Sequence, residues 1–131
     1  MPIRIVRLGT PRTPGEGPRF GTVRRPPRGV KKSDYASRDF FDDWLPDIAP
    51  SAPLVKWALS EPWTAKRWTR YADRYRREMR APPAQRLIRV LASLSKQADF
   101  SVGCYCADAS LCHRSLLREL LVESGADVRP D

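Results

Sequence analysis

Residues 99–125, DFSVGCYCADASLCHRSLLRELLVESG, carry two hydrophobic periods in succession. Phe100, Val102, Cys104 and Cys106 alternate at a period of two, the pattern of a strand with one face on a core. After the loop ADASL, Leu116, Leu117, Leu120 and Leu121 recur at helical spacing, and Gly125 follows as a C-terminal stop. The same stretch holds all three cysteines of the chain and its only histidine. Cys104 continues the Phe100 and Val102 face and reads as a small buried hydrophobe. Cys106 stands at or just beyond the strand's end, where side chains become reachable.

Cys112, His113 and Arg114 open the helix that follows. Backbone N–H groups and the positive end of the helix dipole converge there, so a phosphate can dock. The same field lowers a thiol's pKa. Cys112 is thus the expected thiolate, with His113 beside it and Cys106 as a resolving partner. The spacing differs from the Cys, five residues, Arg loop of thiol phosphatases, because Cys106 lies eight positions before Arg114. Cys104, Cys106, Cys112 and His113 also offer four soft metal ligands, but Cys-x-Cys on one strand lacks the usual Cys-x2-Cys knuckle of zinc sites. From spacing alone no metal is expected, and the chain should fold without zinc. The bland alternatives are cysteines used only for packing and a surface histidine at a helix start.

Upstream, Pro82 and Pro83 start a helix whose Leu87, Ile88, Leu91 and Leu94 form an apolar face. The segment WTAKRWTRYADRYRREM puts Trp68, Tyr71, Tyr75 and Met79 on one helical stripe and Arg67, Arg70, Arg74 and Arg77 on another. A short helix is expected over Pro53 to Leu59. Phe40, Phe41, Trp44, Leu45 and Ile48 recur at helical spacing and predict a further amphipathic helix from Ser37, broken near Pro46. Ile3, Ile5 and Leu8 suggest a first strand and Phe20 to Arg24 a second, separated by a Pro/Gly-rich loop.

A chain of 131 residues is the size of one domain with a modest core. The expectation is a single domain over 1–131, with 10–18 and 125–131 flexible. With 41% hydrophobic residues and four tryptophans the chain should fold, despite thirteen prolines and 30% charge. No apolar run approaches a membrane span, and MPIRIVRLGT lacks the apolar core of a secretory signal, so a cytoplasmic location is expected. Clustered cysteines in a reducing compartment read as thiols or ligands rather than as a disulfide framework. The net charge of +9 is concentrated: residues 1–32 hold nine Lys or Arg against one acid, Glu16, while the rest of the chain is nearly balanced. Such a patch attracts phosphates, although a charge run is as often a solvated face.

The residues also resemble a family. CYCADASLCHRSLLRELL looks like the C-terminal signature of the YeaO-like proteins, the domain of unknown function 488, where a strand ends in Cys-x-Cys and the next helix begins with Cys-His-Arg. RRPPRGVKK resembles that family's Arg-Leu-Trp-Pro-Arg-Gly-Val segment at Arg24, Pro27, Arg28, Gly29 and Val30. FFDDWLPDIAPSAPLVKW resembles its acidic Trp-Leu, Ala-Pro-Ser and Leu-x-x-Trp pattern, and RYRREM its Tyr-Arg-x-Glu-Leu. The resemblance spans residues 3 to about 124, with Pro26 where a Trp is usual and Val23 where an Asp is usual. It implies an α/β fold with a small, largely parallel sheet flanked by helices, and a pocket where the Arg-rich loop meets the Cys-His-Arg helix. It implies no established reaction.

In such sheets ligands collect beyond the carboxyl ends of strands, where Cys106, Arg25 and Arg28 would converge. The expectation is therefore a protein that binds a phosphorylated ligand, a nucleotide or a nucleic acid. Arg24, Arg25, Arg28 and Arg114 would hold phosphate, and Cys106, Cys112 and His113 would supply thiol-based catalysis. The alternatives are a non-catalytic nucleic-acid or partner-binding module and a Cys/His metal-binding protein. No membrane partner is expected, and the sequence names neither a cofactor nor an oligomeric state.

Overall fold

The computed structural model of the chain describes residues 3–130; residues 1, 2 and 131 of the expected domain lie outside them. Four strands, β1 (Ile3–Arg7), β2 (Arg19–Gly21), β3 (Asp43–Trp44) and β4 (Phe100–Cys104), form one sheet in the order β1-β4-β2-β3. All three pairings are parallel, with Ile3 opposite Phe100, Phe20 opposite Val102 and Phe20 opposite Asp43. Four helices, α1 (Ala52–Leu59), α2 (Ala65–Glu78), α3 (Pro82–Leu94) and α4 (His113–Glu123), complete the small α/β fold that the resemblance implied. No helix among the described residues is long and apolar enough to cross a membrane.

The order makes β4 an interior strand, which changes what its alternation means. Phe100 and Val102 join a core with Tyr75, Ile88, Leu117 and Leu121, as expected. Ser101 and Gly103, on the other face, are buried too. Ser101 donates to the Glu16 carboxylate at 3.0 Å. At Gly103 a Cβ would lie 2.7 Å from the Val6 carbonyl oxygen, so only glycine lets β1 approach this closely.

The helices follow their sequence signals. The Thr64 side chain caps α2 by accepting from the Arg67 N–H, and Tyr71, Tyr75 and Met79 bury its apolar stripe. The Tyr75 hydroxyl is satisfied inside by donating to the Ile48 carbonyl at 2.8 Å. α3 starts at the two prolines and buries Ala84, Ile88, Leu91 and Ala92; Leu94, assigned to that face above, is 45% exposed at the helix end. Past α4, Gly125 takes a φ of 87°, the left-handed conformation that ends a helix.

Two expectations fail. No helix forms over 38–48: residues 35–42 turn, Asp43–Trp44 pairs with β2, and Pro46–Ile48 makes one 3-10 turn. Asp39 sits at a positive φ of 62°, incompatible with a continuing helix, and the Asp42 carboxylate accepts the Arg19 backbone N–H at 2.7 Å. The helical spacing of the aromatics instead serves a loop laid on the sheet. Phe41 sits so close to Gly21 that a Cβ there would fall 2.3 Å from its ring. The second strand is also shorter than Phe20 to Arg24. The Thr22 N–H still donates to the Gly103 carbonyl at 3.0 Å, but the chain then leaves the ladder.

Within the basic N-terminal segment, Arg19 is completely buried. Its guanidinium forks onto Glu16 at 2.9 and 3.0 Å and also donates to the carbonyls of Thr10 and Asp39. Burial alone would raise the Glu16 pKa. The bonds and charge of Arg19, helped by Ser101, outweigh it and hold the carboxyl below its ordinary range.

Candidate functional site

β4 ends at Cys104, and the chain passes through Tyr105 and Cys106 into a 3-10 turn, Ala109–Leu111, before α4. Asp108 shapes that turn by accepting from the Ser110 N–H at 3.0 Å. The loop folds Cys112, the N-cap of α4, back onto the strand end. Cys104 and Cys106 then stand with their sulfurs 3.7 Å apart, and all three Sγ atoms lie within 4.8 Å of one another.

Exposure separates the three. Cys104 is 6% and Cys112 2% exposed, packed with Leu8, Val23 and Phe41, whereas Cys106 is open to solvent. The strand-end reading of Cys104 and Cys106 matches this placement. The accessible sulfur of the three is that of Cys106, while that of Cys112, the expected thiolate, is buried. Cys106 receives the Cys104 and Cys112 thiols, lies near the Arg114 charge, and its pKa is pulled well down. Cys104 is pushed up, first by its contact with Cys106. For Cys112 the contact with Cys104 lowers the pKa, but that with Cys106 and burial raise it more, to about 11. The contacts within the cluster thus favour the charged form on the exposed sulfur of Cys106 over the two buried ones.

His113 is buried rather than a surface residue. Its Nε2–H donates to the Thr22 carbonyl at 2.6 Å, leaving Nδ1 toward the Cys112 sulfur at 3.8 Å. Burial pushes its pKa down from 6.5 to about 4. The unfolded chain takes up a proton near pH 6.5 and the folded one only near pH 4. His113 therefore supports stability fully above pH 6.5, and that support fades as pH falls toward 4, by up to about 3 kcal/mol. Urea titrations at pH 7, 6 and 5 should show a progressive loss. His113→Gln, which keeps an N–H for Thr22, should flatten it; an unchanged slope would assign the titration elsewhere.

Arg114 is 4% exposed. One guanidinium nitrogen donates to the Cys106 carbonyl at 2.6 Å, while its Nε has no hydrogen-bond partner. Among the described residues no carboxylate pairs with it. The other arginines divide. Arg24 does not face the site: it donates to the carbonyls of Pro50, Pro46 and Ala49 at 2.9 to 3.3 Å and clamps that loop. Arg25 and Arg28 are exposed and line an open groove of about 410 Å³ with Pro26, Pro27, Phe40 and Tyr105.

Cys106, Cys112, His113 and Arg114 do not line that groove. The single pocket expected from the sequence is therefore two features that meet at Tyr105. Its hydroxyl donates to the Arg25 carbonyl at 3.0 Å, and its chain neighbours are Cys104 and Cys106. The sequence reading missed Tyr105, although an aromatic between two cysteines at a strand end was a usable signal. It also missed Thr22, whose carbonyl accepts from His113 and whose hydroxyl donates to the Gly103 carbonyl at 3.0 Å, because a single threonine past a strand end forms no periodic pattern.

The three sulfurs could also hold a soft metal ion, which the Cys-x-Cys spacing had argued against. With zinc–sulfur bonds of about 2.3 Å, the edge of a tetrahedral site is about 3.8 Å, close to the distance between Cys104 and Cys106. The loop 107–111 brings Cys112 back beside the strand end as a third sulfur, which the Cys-x-Cys spacing alone does not show.

The family model DUF488-N3a, described as the active DUF488-N3 subclade, matches residues 3–125. No curated protein and no solved structure matches the chain.

Proposed function

Because this chain belongs to the DUF488-N3a family, we propose that the end of β4 is a thiol site acting on a phosphorylated ligand of the nucleotide class. The observation that carries the reading is an exposed cysteine bonded through its own carbonyl to a buried guanidinium that forms no ion pair among the described residues and is felt by the exposed Asp108 carboxylate only beyond ion-pair distance. A buried charge without a close counter-charge is costly. The arrangement is sustained when a negative charge stands beside it, first the Cys106 thiolate and then an anionic ligand. The word "active" in the description of the subclade agrees with a catalytic role.

Cys106 is the nucleophile in this scheme. Its sulfur bonds to an electrophilic centre of the ligand as the bond to the leaving group breaks, and water at the exposed sulfur protonates the departing group. His113 stays neutral and positions the start of α4 through Thr22. Arg25 and Arg28 take the phosphate, and the rings of Tyr105 and Phe40 offer an apolar wall for a flat group. The cytoplasm, where three free cysteines remain thiols, suits this chemistry.

Each charge-assisted phosphate contact contributes on the order of 1.5 to 3 kcal/mol. A thermal-shift and titration screen across nucleotides and phosphorylated metabolites should therefore find a ligand that Arg28→Ala binds about tenfold or more weakly. A screen without any such ligand, or an Arg28→Ala variant that binds like the parent, would remove the reading. The sulfur geometry favours one second reading, a soft-metal site. A purified chain carrying about one equivalent of metal, lost in Cys112→Ser, would support it and withdraw Cys106 as nucleophile.

A further inference from the structure

A second basic surface lies on α2, independent of the thiol site. Arg70, Arg74 and Arg77 follow at spacings of four and three, so they share one helix face. With Trp57 and Asp73 they line a shallow hollow of about 260 Å³. Arg67, on the same helix, is used internally: its guanidinium lies over the Trp57 ring at 4.3 Å and donates to the carbonyls of Trp57 and Glu61 at 2.7 Å. Arg74 also lies against Trp57, at 5.5 Å. Arg70 and Arg77 are exposed, and among the described residues neither pairs with a carboxylate. Lys56, Lys66 and Arg80 are exposed nearby in the chain, while Asp73 is the single acid of the hollow.

Like charges three and four residues apart repel and weaken a helix. Here that cost falls on a helix whose opposite stripe is core, and an anion would relieve it. Cations repeating at about one helical turn, about 5.4 Å, suit a ligand with repeated charges better than a single phosphate. The one ring in the hollow is already engaged by two arginines, which leaves little of it for a base. We propose that the Arg70, Arg74 and Arg77 face of α2 binds the phosphate backbone of a nucleic acid without reading its sequence.

The test is fluorescence anisotropy with a labelled single-stranded oligonucleotide of about 20 residues, titrated between 50 and 200 mM salt. Three phosphate contacts predict a log–log salt slope of about −2. Arg70→Ala/Arg77→Ala should weaken binding about tenfold or more and make the slope shallower by roughly 1.4. Arg86→Ala/Arg89→Ala removes the same charge from exposed positions of α3 and should change affinity less than about twofold. Equal losses in both variants would reduce the effect to net charge and overturn the proposal. So would loss confined to Arg25→Ala/Arg28→Ala, which would move the nucleic acid to the groove at Tyr105. Binding to anionic phosphatidylserine vesicles that the oligonucleotide fails to compete would also overturn it, in favour of a membrane surface. All four positions changed on α2 and α3 are exposed, so circular dichroism of each variant should match the parent.

Discussion

Glu16→Ala should cost about 3 to 5 kcal/mol of folding stability, the usual consequence of stranding one member of a buried ion pair. Both partners are inside, Arg19 at 0% and Glu16 at 3% exposure, and the guanidinium has no route to water once the carboxylate is gone. The loss also takes away the acceptor of the Ser101 hydroxyl in the middle of β4, so an interior strand acquires an unpaired polar group. For a domain whose total stability is about 5 to 15 kcal/mol, this is a large share. In urea, with a slope of about 1 to 3 kcal/mol per molar, the midpoint should fall by more than about 1 M. Replacing both partners, as Glu16→Met with Arg19→Met, should recover much of the loss, because two apolar groups leave no stranded charge. A Glu16→Ala cost below about 1 kcal/mol would mean that water reaches Arg19 and that the pair is not the anchor described above.

Cys106→Ser should remove nearly all fast thiol reactivity from the folded chain, slowing alkylation by iodoacetamide about 100-fold or more. Cys104 and Cys112 are nearly inaccessible, so they react only after local opening. An opening free energy of ~3 kcal/mol is already a factor of about 100. In the parent chain the rate should be nearly flat from pH 8 to pH 6, because the two neighbouring thiols and the Arg114 charge pull the Cys106 pKa well down. An ordinary thiol with a pKa near 8.5 would slow about tenfold per pH unit over the lower part of that range. Mass spectrometry of the first labelled peptide identifies the site. First labelling at Cys112 would return the nucleophile to the helix start, and first labelling at Cys104 would contradict the strand end itself.

Local patterns carried a good part of this structure. The period-two run of Phe100, Val102 and Cys104 and the leucines of α4 folded as they read, as did the Tyr71, Tyr75 and Met79 stripe of α2. Residues 38–48 show where a local pattern misleads. Apolar spacing there was helical, yet Asp39 turns the backbone and Phe41 is pulled onto the bare surface of Gly21. Packing against a neighbouring strand outweighs a periodicity of five residues.

Charge was legible in amount and illegible in use. Nine cations in the first 32 residues suggested one phosphate-binding surface. Folding gave Arg19 to a carboxylate, Arg12 to Asp42 and Arg24 to three carbonyls, leaving Arg25 and Arg28 at a groove. The physical reason is one of range. Periodicity is a relation between near neighbours along the backbone, so order, element type and the strand-loop-helix unit around the cysteines are written locally. A long polar side chain bonds to whatever the fold brings within reach: Arg24 meets carbonyls 22 to 26 residues away, and Arg114 meets that of Cys106 across a loop. Which sulfur is exposed, which guanidinium forms no ion pair among the described residues and which histidine nitrogen faces the Cys112 sulfur follow from those long-range contacts, and no local pattern encodes them.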